Sequence, residues 1–174
     1  ITISGSKSES NRLLILQKLF PEITIDNLSD SDDSIHMQHA LSTKEELVDI
    51  GHAGTAMRFL TSYFAVNEGR ETVLTGSHRM QNRPIEILVN ALRDLGAEIT
   101  YEDKEGYPPI RIKGKTITKD KVQINGNVSS QYISSLLLIA SKLANGLEIE
   151  LIGKITSVPY INMTLSLLTQ LGIE

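Results

Sequence analysis

Residues Leu88 to Thr100 read Leu-Val-Asn-Ala-Leu-Arg-Asp-Leu-Gly-Ala-Glu-Ile-Thr, and residues Leu165 to Glu174 read Leu-Ser-Leu-Leu-Thr-Gln-Leu-Gly-Ile-Glu. In each stretch apolar residues recur at helical spacing, a Leu-Gly pair closes the helix, and a β-like run begins. Upstream of each stand a β-like run, a glycine turn and a polar segment. These are Thr75-Gly76-Ser77-His78-Arg79 in one case and Ile152-Gly153-Lys154 to Ser157 in the other. A segment that recurs with its flanks is an internal repeat, and the unit here is strand–helix–strand–helix–strand. Such alternation defines an α/β (or α+β) domain.

Working outward, the spacing predicts strands at Ile1–Ile3, Ile23–Leu28, Ile99–Tyr101, Ile110–Lys113, Lys121–Ile124 and Leu147–Ile152. Helices are predicted over 10–20, from Ser29–Asp33 to Leu41, and over 55–67, 83–95, 130–144 and 160–171. Ser29-Asp30-Ser31-Asp32-Asp33 offers several N-caps, and Gly96 is a C-cap. Little separates Leu41 from Gly51, so the first copy of the repeat is shortened, and the third lacks its closing strands. The chain opens in a β-like run without Met and stops as another begins, so both ends read as cut.

Hydrophobic residues make up 40% and charged residues 22% of the 174, the composition of a folded domain. A net charge of −4 argues against a general nucleic-acid binder, and a local cluster of positive charge in an acidic chain suits a small anion instead. With no cysteine, disulfides, zinc–thiolate sites and a thiol nucleophile are excluded. No apolar run reaches the roughly 20 residues that span a bilayer and no signal peptide is visible, so a cytoplasmic location is expected.

Candidate chemistry gathers where polar segments lead into helices. Ser4 to Arg12 reads Ser-Gly-Ser-Lys-Ser-Glu-Ser-Asn-Arg. A helix N-terminus carries unpaired N–H groups and about half a positive charge, so lysine and arginine beside several hydroxyls are out of place unless an anion completes the site. A hydroxyl-rich cap with solvated basic side chains is the competing reading. Gly51-His52-Ala53-Gly54 lets a backbone turn approach a ligand, or is simply a tight strand–helix turn. Ser129-Ser130-Gln131 offers more polar side chains than one cap requires. Arg79 and Arg83 flank a turn before Pro84, at an expected helix start, and arginine grips carboxylate or phosphate in a fork. Ser157 and Tyr160 stand at the start of the last helix. Five such starts in a repeated unit would face a common edge and form a composite anion site.

Other clusters are explained without function. His36 and His39 lie one turn apart but have no third ligand, so no metal is expected. Asp30, Asp32 and Asp33 lack the Gly and distal Glu of a calcium loop and fit a helix cap. Lys44-Glu45-Glu46 and Glu102-Asp103-Lys104-Glu105 fit solvated faces or turns.

Gly5-Ser6-Lys7-Ser8-Glu9-Ser10-Asn11-Arg12, Gly54-Thr55-Ala56-Met57-Arg58, Arg79-Met80-Gln81-Asn82-Arg83-Pro84-Ile85 and Ser129-Ser130-Gln131-Tyr132 together resemble the 5-enolpyruvylshikimate-3-phosphate synthase family. The resemblance runs in order through nearly the whole chain. It implies two similar domains of three βαβαββ units each, closing over one active site. Residues 1–174 would form the N-terminal domain, and the second domain, with the main acid–base carboxylates, would be absent. The implied reaction moves the enolpyruvyl group of phosphoenolpyruvate to the 5-hydroxyl of shikimate 3-phosphate and releases phosphate, without a cofactor. By motif position, Lys7, Ser8, Arg12, Ser129, Ser130, Gln131, Ser157 and Tyr160 would hold shikimate 3-phosphate. Lys7, Gly54, Arg79 and Gln131 would hold phosphoenolpyruvate, and Lys7 would be the catalytic residue. The expected partners are these two substrates and the chain's own second domain, in a monomeric enzyme that contacts neither nucleic acid nor membrane. This half alone would bind weakly and turn over nothing.

Three positions depart from the family pattern: His52 stands where Asn is usual, Phe59 follows Arg58 where Pro is common, and Ser4 precedes Gly5 where Pro is common. His52 borders the region that the inhibitor glyphosate occupies in the family. The sister UDP-N-acetylglucosamine enolpyruvyl transferases usually carry a catalytic cysteine, which this chain lacks. A non-catalytic anion-binding module would not need Lys7, Arg79 and Gln131 together. An RNA-end-processing relative would need a basic face and a nucleophilic histidine motif.

Overall fold

The computed structural model describes residues 3–173. In chain order the elements are α1 (Lys7–Leu19), α2 (Asp32–Ser42), β1 (Leu47–Asp49), α3 (Gly54–Ala65) and β2 (Glu71–Thr75). A single-turn α4 (His78–Gln81), α5 (Glu86–Leu95), β3 (Glu98–Tyr101) and β4 (Ile110–Lys113) follow. The chain continues with β5 (Lys121–Asn125), α6 (Ser130–Ala140), β6 (Glu148–Ile152) and α7 (Val158–Gln170).

The stretch from β1 to β4 is one complete copy of the repeat. Its sheet runs β1-β2-β4-β3, with β1 and β2 parallel and the β4 pairings antiparallel. β5 and β6 pair in parallel just as β1 and β2 do, and α6 and α7 occupy the places of α3 and α5. Among the described residues, two helices and no strand precede β1. The α/β class and the repeat read from the sequence are both present.

Helix α3 sits at the centre of the molecule. Ten of its twelve residues are buried, and it packs against α1, α2, α5, α6 and the four-stranded sheet. Leu60 and Phe64 are fully buried there, each worth roughly 1.5–3 kcal/mol of apolar burial. The approach of α3 to α6 is set by small polar residues. The Ser62 and Ser135 hydroxyls meet at 2.5 Å, and Ser135 donates to the Arg58 carbonyl at 2.6 Å. Buried hydroxyls tolerate this because each finds a partner.

Several expectations are corrected. Ile23–Leu28 is not a strand, because Asn27 adopts φ +56° and breaks the extended run. Gly5 lies against the Asn27 carbonyl, where a Cβ would collide, which fixes the first loop on that bend. Of the expected strand at Ile1–Ile3, residues 1 and 2 lie outside the described residues, as does Glu174, and Ile3 joins no strand. The first helix starts three residues early, at Lys7. The helix expected over 83–95 starts at Glu86, because proline at 84 disfavours helical backbone at Arg83; Pro84 precedes the N-cap, Ile85. The helix expected over 130–144 ends at Ala140. Strand β1 lies in a charged stretch with no strand signal in the sequence: three residues are too few to show a period, and the pairing with β2 defines it. Gly96 closes α5 at φ +106°, as its position after Leu95 suggested.

Candidate functional site

The first helices of the three segments, α1, α3 and α6, pack on one another, and their N-termini converge. Lys7, Ser8 and Arg12 from α1, Thr55 from α3, Ser129, Ser130 and Gln131 from the start of α6, and Tyr160 from α7 line one open pocket. Three helix N-termini add their partial positive charges to those of a lysine and an arginine, which sets the electrostatics for an anion. Among the described residues no carboxylate lines this pocket directly, and Asp33 stands behind it, bonded to Lys7 and Thr55.

Arg12 organises the inner wall and is only 3% exposed. Its Nε donates to Thr164 Oγ1 at 2.7 Å, and one terminal nitrogen donates to the Ser8 carbonyl at 2.7 Å. The other donates to Ser134 Oγ at 3.0 Å and to the Tyr160 carbonyl at 3.2 Å. Phe59 lies under the guanidinium, 5.3 Å from carbon to ring centroid, so the residue found where proline is common supports the arginine. Burial lowers Arg12 to about 10, which leaves it charged at neutral pH. Every protein partner is neutral, so a buried cation faces the pocket without a counter-charge. A bound anion would supply it.

Asp33 is the feature that sequence reasoning missed. It reaches across from α2, accepting from Lys7 Nζ at 3.3 Å with Oδ1 and from the Thr55 backbone N–H at 3.3 Å with Oδ2. It therefore caps α3 from another helix instead of capping its own, whose N-cap is Ser31. Gln131 Nε2 donates to Thr55 Oγ1 at 3.1 Å and ties α6 to α3. Lys7 remains half exposed, which leaves its ammonium able to turn toward a ligand.

A second, smaller pocket of about 160 Å³ adjoins, lined by His52, Arg79, Met80 and Arg83. Gly54 joins the two: it begins α3 beside Thr55, and the Arg83 guanidinium lies where a Cβ would be. Arg79 is aimed by α4, whose N-cap Ser77 accepts from the Met80 N–H at 3.3 Å. The five polar helix starts therefore make two neighbouring pockets instead of one edge. Ser157 lines neither. It is exposed at the N-cap of α7 with φ +55°, a left-handed backbone unusual for serine.

Arg58, part of the quoted motifs, is a strut. It donates to the Gly54 and Pro84 carbonyls, each at 3.1 Å, and Tyr132 also donates to Pro84, at 2.9 Å. Burial holds Arg58 below the usual arginine range. Thr164 and Ser134, the partners of Arg12, carried no signal in the sequence because a lone hydroxyl mid-helix is commonplace. His36 turns its ring toward Gly51, and among the described residues no three His, Asp or Glu side chains are placed to hold a metal. No described helix is long and apolar enough to cross a membrane.

Repeated β-α-β-α segments whose first helices bring their N-termini together beside a buried arginine and a half-exposed lysine define the enolpyruvyl transferase fold. The family model of EPSP synthase (3-phosphoshikimate 1-carboxyvinyltransferase) matches residues 38–174, and the chain belongs to that family. It is 52% identical over 173 residues to a 3-phosphoshikimate 1-carboxyvinyltransferase of Bacteroides fragilis, covering 99% of this chain and 42% of that protein. It is 42% identical to one from Mannheimia haemolytica, covering 99% of this chain and 47% of the relative. The latter alignment runs over 203 positions, so that relative carries residues that this 174-residue chain lacks. The EPSP synthase structure from Acinetobacter baumannii superposes with a TM-score of 0.79 at 20% identity, covering all of this chain and 44% of that one. The chain thus spans less than half the length of the curated relatives it matches.

Proposed function

We propose that this chain supplies the shikimate 3-phosphate grip, and part of the phosphoenolpyruvate site, of a cytoplasmic, monomeric 3-phosphoshikimate 1-carboxyvinyltransferase. The observation that carries the reading is Arg12: a buried cation whose protein partners are all neutral, on the wall of a pocket ringed by helix N-termini. Arg12 with Ser8, Ser129, Ser130 and Tyr160 takes shikimate 3-phosphate in the larger pocket. Ser157 joins this set by motif position alone. Gly54 and Arg79 take phosphoenolpyruvate in the smaller pocket. Lys7 and Gln131 stand at the larger pocket and reach both substrates. A second domain completes the site.

The chemistry explains the charge. In the reaction the 5-hydroxyl oxygen bonds to C2 of phosphoenolpyruvate, a proton is added to C3, and the hydroxyl proton is lost. The tetrahedral adduct then loses a proton from C3 and expels phosphate from C2 as the C2–C3 double bond re-forms. Two polyanions must be held together while this happens, and fixed cations and helix N-termini offset their repulsion. The Lys7 ammonium, shared with Asp33, is placed to stabilise charge at the reacting centre or pass a proton there.

Titration calorimetry of the chain with shikimate 3-phosphate tests the grip. Binding is expected for the wild type and a loss of about 100-fold for Arg12→Ala, the scale of removing a charge-assisted set of hydrogen bonds. No heat at millimolar ligand, or unchanged binding in the variant, would refute the site. In the whole enzyme, Lys7→Met should abolish phosphate release while circular dichroism stays unchanged, and wild-type turnover would remove Lys7 from the mechanism.

A further inference from the structure

His52 and Ser77 form a pair that the proposed reaction leaves unused. His52 stands in the turn between β1 and α3, and Ser77 in the turn between β2 and α4; His52 Nδ1 and Ser77 Oγ lie 2.7 Å apart. The two turns are already joined by the Ser77 N–H donating to the Gly51 carbonyl at 3.0 Å. The side-chain pair therefore adds something other than connection.

The bonding of the hydroxyl bears on which ring nitrogen carries the proton. Ser77 Oγ accepts the Met80 N–H, so one lone pair is used. Its own proton can be donated, and among the described residues His52 Nδ1 is the acceptor within reach, although by distance alone either atom of the pair could be the donor. A neutral imidazole that accepts at Nδ1 carries its proton on Nε2. His52 lines the smaller pocket with Arg79 and Arg83, and Nε2 is the ring nitrogen it has left to present. All the nitrogen-bearing side chains of that pocket are then donors. The nearby charged and titratable groups do not alter this. Asp49 Oδ1 accepts from the Gly51 N–H at 2.7 Å, Asp33 is occupied by Lys7 and Thr55, and the His36 ring faces Gly51.

We infer that His52 is a specificity-determining donor of the smaller pocket, held by Ser77 as the Nε2–H tautomer, and that this pocket selects small anions carrying no donor of their own over zwitterions bearing an ammonium. An asparagine there could turn its amide and offer an oxygen to an ammonium, whereas this imidazole cannot. The inference rests on the proposed reading that this pocket takes phosphoenolpyruvate, itself an anion of the selected kind.

Nitrogen-15 spectra of the chain at about pH 8, where imidazoles are ordinarily neutral, read the tautomer directly. The signal that disappears in His52→Asn identifies the residue. The Nε2–H pattern is expected in the wild type and a mixed one in Ser77→Ala. An Nδ1–H pattern in the wild type overturns the inference whether or not the Ser77 variant folds. Methylphosphonate and aminomethylphosphonate then probe selectivity. The first should bind about fivefold more tightly, the worth of one hydrogen bond, with the gap closing in His52→Asn. Equal affinities in the wild type, or the same gap in the variant, refute the selection. If phosphoenolpyruvate shifts the Arg79 and Arg83 guanidinium signals but leaves His52 unmoved, the role of His52 falls while the pocket's stands. If neither guanidinium responds, the pocket reading itself fails.

Discussion

The two anion-facing pockets differ in how they are made. The larger is cut into the core: its arginine is buried, with each nitrogen anchored to a neutral partner, and its walls are the ends of three mutually packed helices. The smaller is assembled from turns, with Arg79, Arg83 and His52 all exposed. The first is pre-organised and coupled to the fold, and the second is adjustable and almost independent of it. The difference teaches that charge alone does not define a site here. The same residue type works by rigidity in one place and by reach in the other.

Substitutions can break this contrast. Arg12→Ala should show the largest effect, losing shikimate 3-phosphate binding and also about 1–3 kcal/mol of stability, because Thr164, Ser134 and the Ser8 carbonyl lose a buried donor. Urea denaturation with an unchanged midpoint would make Arg12 a mere surface ligand. Ser135→Val touches no ligand, yet it should cost about 1–3 kcal/mol by overpacking α6 against α3. It should also weaken shikimate 3-phosphate, since the start of α6 moves with the helix. Full affinity at reduced stability would uncouple pocket from core. Arg79→Lys should lower phosphoenolpyruvate affinity about tenfold through loss of the fork and leave the urea midpoint alone. A clear loss of stability would show that the smaller pocket is also structural. Gly54→Ala should have the smallest effect. Its methyl displaces the end of the flexible Arg83 side chain, so phosphoenolpyruvate binding should weaken a few-fold and shikimate 3-phosphate binding should hold. Equal losses for both ligands in calorimetry would mean that the two pockets act as one.

The readable part of the site was the part written in contiguous residues. Lys7, Ser8 and Arg12 fall within six positions, and Ser129, Ser130 and Gln131 are consecutive, so the clash of basic side chains with a helix N-terminus stood out. Asp33 reads locally as a helix cap because its partners, Lys7 and Thr55, are 26 and 22 residues away. Thr164 is 152 residues from Arg12, and no local pattern links them. Secondary structure failed on the same principle. The run over 23–28 has strand composition and finds no ladder, while β1 has poor composition and finds one.

The sequence by itself determined the α/β repeat, the positions of most helices, the Gly96 C-cap, and the presence of cations beside hydroxyls at the helix starts, because these depend on neighbours within one or two turns. The tertiary structure decided which starts share a pocket, that Arg12 is buried among neutral partners, that Asp33 joins two helices, and that Ser77 faces His52. Those outcomes depend on how helices and turns far apart in the chain are brought together, and local spacing carries no record of that.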